Sequence, residues 1–101
     1  MRKAAVYHRD ILAGFLIEQG EGKYEFHYVD EYKGPPVSLT MPVAKRQFLF
    51  DTFPPFFDGL LPEGTLLEAL LKQAKIDRYD LFSQLVTVGG DLVGAVTVKE
   101  T

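Results

Sequence analysis

The sequence predicts an α+β fold: a small, mainly antiparallel sheet with two to three helices in the C-terminal half and a final C-terminal strand. Three observations carry this. Apolar residues alternate or run in short bursts over the first half, as strands require. From Pro54 onward the spacing turns helical. After a glycine pair, a last short apolar run remains that needs a sheet to join. Strands, then helices, then one strand make an α+β order, and the last strand must pair back, so both ends of the chain meet through the sheet.

Lys3–His8 and Ile11–Glu18 read as strands joined at Arg9-Asp10, a polar pair able to turn a hairpin without the favoured Asn-Gly. Gln19–Lys23 is a clearer turn, because glycine reaches positive φ without steric cost. Tyr24–Val29 alternates, with Tyr24, Phe26 and Tyr28 on one face and Glu25 and His27 on the other. Three aromatics on one side make a core-facing stripe. Lys33-Gly34-Pro35-Pro36 ends that strand, and Val37–Met41 reads as another short strand closed by Pro42. Val43–Phe53 fits no single template.

Thr65-Leu66-Leu67-Glu68 matches a capping box, which places Thr65 at a helix start. Leu67, Leu70, Leu71 and Ala74 then share a face, while Glu68 and Lys72 form an outward pair. A second cap is expected at Asp77, with Ile76 and Leu81 as a hydrophobic staple and a helix running to about Val86. Gly89-Gly90 stops it, and Leu92–Lys99 is the expected last strand.

At 101 residues the chain fits a single domain, residues 1–101. With 47% hydrophobic residues it can build a core without staples, and no cysteine is present for disulfides or thiolate metal sites. The lack of cysteine suits a reducing compartment. Neither a signal peptide nor an apolar run of roughly 20 residues appears, so a cytoplasmic location is expected. The net charge of −3 and scattered basic residues disfavour direct nucleic-acid binding, whose affinity rests on basic patches.

The catalytic inventory is sparse. His8 and His27 lie on different strands, away from any ligand cluster, and neither a metal nor another cofactor is expected. Asp58 and Glu63 have no His, Lys or Tyr near them in sequence, and read better as helix and turn caps than as an acid–base pair. Ser38 and Ser83 lack a nucleophile elbow, and the glycine pairs match neither Walker nor dinucleotide patterns. Lys45-Arg46 reads as a solvated pair. The chain is therefore expected to dock on a partner and not to be an enzyme.

One segment stands apart. Asp51–Gly64 is dense in aromatic, apolar and proline residues, as either a core-packing short helix with a rigid turn or a docking surface. Its Pro62-Glu63-Gly64 tip suits the surface, since a loop tip is hard to bury. Pro55-Phe56-Phe57-Asp58-Gly59-Leu60-Leu61-Pro62-Glu63-Gly64 resembles the P-F-F-[DE]-[NG]-L-L-P-E-G signature of the N-terminal region of HipA-type serine/threonine kinases. Ile11-Leu12-Ala13-Gly14, Val37–Pro42 and Gly89–Val96 resemble that region's other motifs in the same order, so the resemblance spans nearly the whole chain.

Kinase activity is not implied, because HipA proteins carry it in a core that follows this region. A free-standing copy is similar to HipS-type antitoxins of the tripartite HipBST toxin–antitoxin systems. The resemblance then implies a HipT-type serine/threonine kinase toxin as partner, with a HipB-like DNA-binding protein in a larger complex, and no membrane. The partner surface it implies is Phe56, Asp58, Leu60, Leu61, Pro62, Glu63, Gly64 and Thr65. Two alternatives stand beside it: an N-terminal fragment of a HipA-type kinase, and a stand-alone small-ligand binder built on Tyr24–Tyr28.

Overall fold

The computed structural model describes residues 2–20, 22–92 and 94–101. Among these, five strands form one antiparallel sheet in the order β4-β3-β2-β1-β5. The strands are β1 (Lys3–His8), β2 (Ile11–Gly20), β3 (Lys23–Tyr28), β4 (Gln47–Phe50) and β5 (Val96–Glu100). Three helices follow β4: α1 (Pro55–Asp58), α2 (Gly64–Ala74) and α3 (Leu81–Val88). The α+β expectation and the closing strand are both realised. β5 pairs antiparallel with β1, Ala4 opposite Glu100 and His8 opposite Val96.

The β1–β2 turn holds Arg9 at φ 50° and Asp10 at φ 68°, the paired positive values of a two-residue hairpin turn that glycine or asparagine usually supplies. Arg9 N–H donates to Ala95 O at 2.8 Å, tying this strained corner to the approach to β5. Tyr24, Phe26 and Tyr28 are all buried, as their alternation requires. Tyr24 packs edge-on to Phe53 at 5.1 Å between ring centroids, and Phe26 meets Phe57 at 5.9 Å. The aromatic stripe is thereby spent on the core. Above it sit Phe57 from α1 and Phe82 and Leu85 from α3, each 0% exposed.

Val37–Met41 is a turn and not a strand. Ser38 Oγ accepts from Thr40 N–H at 3.2 Å, and Ser38 O accepts from Met41 N–H at 3.0 Å. A hydroxyl thus competes with ladder pairing for the backbone. The Tyr28 phenol completes the arrangement: it donates to Met41 O and accepts from Val37 N–H at 3.1 Å. Both backbone groups are satisfied without a neighbouring strand. The ambiguous stretch that follows divides into a single 3₁₀ turn, Val43–Lys45, and β4. Arg46 is half-buried and engaged, not a merely solvated neighbour of Lys45. Its Nη1 donates to Val29 O at 3.1 Å and Tyr32 O at 3.0 Å, clamping the loop after β3.

Both helix starts also differ from expectation. The cap residue of α2 is Glu63, which makes no side-chain cap bond. Leu67 N–H reaches Glu63 O at 3.4 Å, so Thr65 lies inside the first turn. Glu68 pairs with Arg78 at 2.7 Å and not with Lys72. Leu67, Leu70 and Leu71 are half-buried, while Ala74 is exposed. Asp77 accepts from Tyr79 N–H at 2.7 Å in a turn of its own, and the cap of α3 is Asp80. Its carboxylate accepts from Ser83 N–H at 3.1 Å and from Ser83 Oγ at 2.8 Å. Arg2, 3.0 Å from Asp80 Oδ1, explains the choice between the two aspartates, because among the described residues Asp80 gains a long-range ion pair and Asp77 does not. With the start moved, Ile76 and Leu81 no longer occupy staple positions.

The last strand begins at Val96, later than expected, because Gly94 at φ 104° turns the chain just before it. Glu21 of the expected turn and Val93 of the expected strand lie outside the described residues. Gly89 does more than end a helix: a Cβ there would sit 2.0 Å from Val98 O. It lets the helix end lie directly on β5.

Candidate functional site

The unusual segment folds as two consecutive turns with opposite duties. Pro54 and Pro55 start α1, where a missing N–H costs nothing and φ is already helical. Asp58 N–H bonds Pro54 O and Gly59 N–H bonds Pro55 O, both at 3.0 Å. Tighter bonds follow, from Leu60 N–H to Phe57 O and Leu61 N–H to Asp58 O, both at 3.1 Å. This winding sends Phe57 and Leu61, four apart, into the core. Phe56 and Leu60 lie half-buried against that core, Phe56 with its ring edge-on to Phe57 at 5.1 Å.

The other residues turn outward. Asp58, Gly59, Glu63, Gly64 and Thr65 are exposed, and Pro62 is half-buried. Gly64, at φ 60°, has nothing within 4 Å of where a Cβ would stand, so glycine serves conformation here and not space. Neither Asp58 nor Glu63 makes a side-chain cap bond, contrary to the capping expectation; both carboxylates face water. Sequence reasoning missed Leu66, 72% exposed beside Thr65. Its signal was present: it is the one leucine of α2 that falls off the Leu67-Leu70-Leu71 stripe.

The eight residues thus form one continuous segment in two layers. Phe57, which was not among them, and Leu61 anchor it. Asp58, Glu63, Gly64, Thr65 and Leu66 are its solvent side, bordered by Phe56, Leu60 and Pro62. The arrangement presents two carboxylates and a leucine on a tip held by a buried aromatic, which suits contact with a macromolecule. His8 and His27 stand on β1 and β3, and His27 lies against Phe15 at 6.0 Å between ring centroids. Among the described residues no group of three or more His, Asp or Glu could hold a metal ion, and no helix is long and apolar enough to cross a membrane.

Comparison with known proteins identifies the family and the fold. The family model described as HipA N-terminal domain matches residues 4–99. A Haemophilus influenzae protein of uncharacterised function is 34% identical over 100 residues, covering 99% of this chain and 93% of that protein. The Sinorhizobium fredii protein Y4dM, whose name proposes a kinase, is 33% identical over 90 residues, which cover 81% of this chain but 22% of that protein. The solved N-terminal domain of HipA toxin superposes with a TM-score of 0.79 at 29% identity, covering all of this chain and 93% of that one. What is matched is the N-terminal domain, and the kinase domain of such proteins lies outside it. The chain belongs to the HipA N-terminal domain family.

Proposed function

We propose that this chain is an antitoxin that binds and inhibits a HipT-type serine/threonine kinase in a tripartite toxin–antitoxin system. It acts by binding and not by catalysis, as one domain spanning residues 1–101, in the cytoplasm, without a cofactor. The observation that carries the reading is a match to the HipA N-terminal domain over residues 4–99, with a solvent-facing tip at the end of the Pro55–Gly64 signature. A Haemophilus relative hardly longer than this chain supports a role for the domain by itself. A HipB-like DNA-binding protein completes the complex.

The contact surface is Asp58, Pro62, Glu63, Gly64 and Thr65, with Phe56 and Leu60 at its border and Leu61 beneath as support. A specific interface needs on the order of 1,600 Å² of buried surface, so neighbouring residues such as Leu66 contribute. The carboxylates of Asp58 and Glu63 suit the basic groups that line a phosphate site, and the leucines supply apolar burial. Lodging the tip in the kinase cleft blocks nucleotide or substrate access, or keeps the lobes apart.

The test is co-purification with the cognate kinase and rescue of growth under kinase expression. Glu63→Lys, Thr65→Arg and Leu66→Asp together change only exposed side chains. They are expected to abolish both capture and rescue without unfolding the chain. Undiminished rescue refutes the surface, and absence of capture by the unaltered chain refutes the function. The low coverage of Y4dM favours a second reading, in which the domain belongs to a longer kinase. A coding sequence that continues past Thr101 into a kinase core would establish it.

A further inference from the structure

The two edges of the sheet are treated differently. β5, at one end, carries exposed Lys99 and Glu100, and Thr101 N–H donates to Lys3 O at 3.0 Å. Charges of this kind discourage pairing with another strand. β4, at the other end, reads Gln47-Phe48-Leu49-Phe50, with neither charge nor proline, and Leu49 is 74% exposed. Tyr28 N–H bonds Arg46 O at 2.8 Å, and Phe26 stands opposite Phe48 and Tyr24 opposite Phe50. In an antiparallel ladder this parity turns the backbone groups of Arg46, Phe48 and Phe50 toward β3. Those of Gln47 and Leu49 point off the sheet, where no described strand lies.

Beside this open edge runs a groove of about 250 Å³, lined chiefly by Met41, Lys45, Phe48, Leu49, Pro54 and Phe56. An apolar cavity of about 150 Å³ already takes up benzene, so one aromatic or branched side chain fits. Lys45 is the one charged group of the described lining, its Nζ 5.3 Å from the centre of the Phe48 ring. We infer that the β4 edge receives an extended segment of a partner protein, added as a sixth strand. That segment places an apolar side chain in the groove and a carboxylate against Lys45. Main-chain bonds to Gln47 and Leu49 supply affinity, while the groove and the lysine supply selectivity. A second copy of this chain fits less well. In a continuous sheet the side chains it would turn to the groove are Phe48, buried in its own core, and Phe50, half-buried against it.

The surface is read on the chain alone, so its failure and that of the kinase reading are separable. Random 10-residue peptides displayed on phage are selected against the immobilised intact chain, and enriched sequences are remade as labelled peptides for anisotropy titration. Enrichment of an acidic residue two positions from an aromatic or branched apolar one is expected. Lys45→Glu should weaken the best peptide at least tenfold while leaving the far-ultraviolet circular dichroism unchanged. Backbone N-methylation at alternate positions should abolish binding in one phase and spare it in the other. Failure to enrich, a consensus without an acid, indifference to Lys45→Glu, or equal effects of both methylation phases would each overturn the inference. So would a self-associated chain in sedimentation that Leu49→Lys renders monomeric, which assigns the edge to a second copy.

Discussion

Replacing Arg2 by methionine should remove a charge from the junction of three elements while keeping its stem against the core. Arg2 Nε and Nη2 donate to the two oxygens of Glu18 on β2 at 2.9 and 2.7 Å, a two-pronged contact. Nη1 reaches Asp80 at 3.0 Å and Ser83 Oγ at 2.9 Å at the start of α3. The guanidinium also lies 4.8 Å from the centre of the Phe82 ring. All three charged side chains keep a quarter to a third of their exposure, so solvent screens the pairs, and each contributes at most about 1 kcal/mol. Two pairs and a cation–π contact give a loss of about 1.5 kcal/mol. For a domain of this size that lowers Tm by about 6–12 °C.

The acid side adds an independent reading. The Arg2 hydrogen bond holds the Glu18 carboxyl below its ordinary range. Burial pushes Asp80 up, but hydrogen bonds from Ser83 and Arg2 outweigh it and leave it lowered as well. Groups depressed in the folded state stabilise it above their unfolded pKa, and that stability is lost as pH falls through the folded values. Urea titrations of the two proteins from pH 7 down to pH 2 should therefore differ most at neutral pH and converge in acid. A difference below about 0.5 kcal/mol at pH 7, or one that persists unchanged in acid, would refute the reasoning.

Tyr28→Phe should cost about 2–3 kcal/mol, since the phenol serves two backbone groups, Val37 N–H and Met41 O, in a buried setting; chemical denaturation measures it. Asp80→Ala should cost about 1–2 kcal/mol as a lost cap, whereas Thr65→Ala should change stability by less than about 0.5 kcal/mol, because Thr65 is exposed and does not cap α2. Equal effects in thermal melts would return the cap to Thr65. Gly89→Ala should cost at least about 1–3 kcal/mol despite its better helix propensity, because backbone and not a flexible side chain stands 2.0 Å from the new Cβ.

How far the fold could be read from residues alone depends on the range of the force that decides each element. β1, β2 and β3 were legible because burial imposes a period of two on Tyr24, Phe26 and Tyr28 and on their neighbours. The start of α3 was not, because Asp77 and Asp80 offer equal local chemistry and Arg2, far away in sequence, decides between them. The Val37–Met41 turn was misread for a similar reason. Its apolar residues suit a strand, but the Tyr28 hydroxyl takes the hydrogen bonds a strand would need. For the candidate site, the motif located the segment, while only the winding of α1 separates buried Phe57 and Leu61 from outward Asp58. Leu49 on β4 drew no notice, because strand edges are set by sheet order, which local pattern does not encode.

The pairing of β5 with β1 also sets the order in which this molecule can be made. Ala4 waits for Glu100, nearly the whole chain away, and contacts of such sequence separation slow folding, since their loop must close before they contribute. During synthesis β1, β2, β3 and β4 can pair as they emerge, but the outer side of β1 stays open until Val96–Glu100 follows. A nascent chain therefore leaves β1 and β4 as its edges, whereas in the completed one β5 replaces β1 at that end and brings the charges of Lys99 and Glu100 to it. Molecules halted before Val96 should be the species most prone to aggregate or to be degraded.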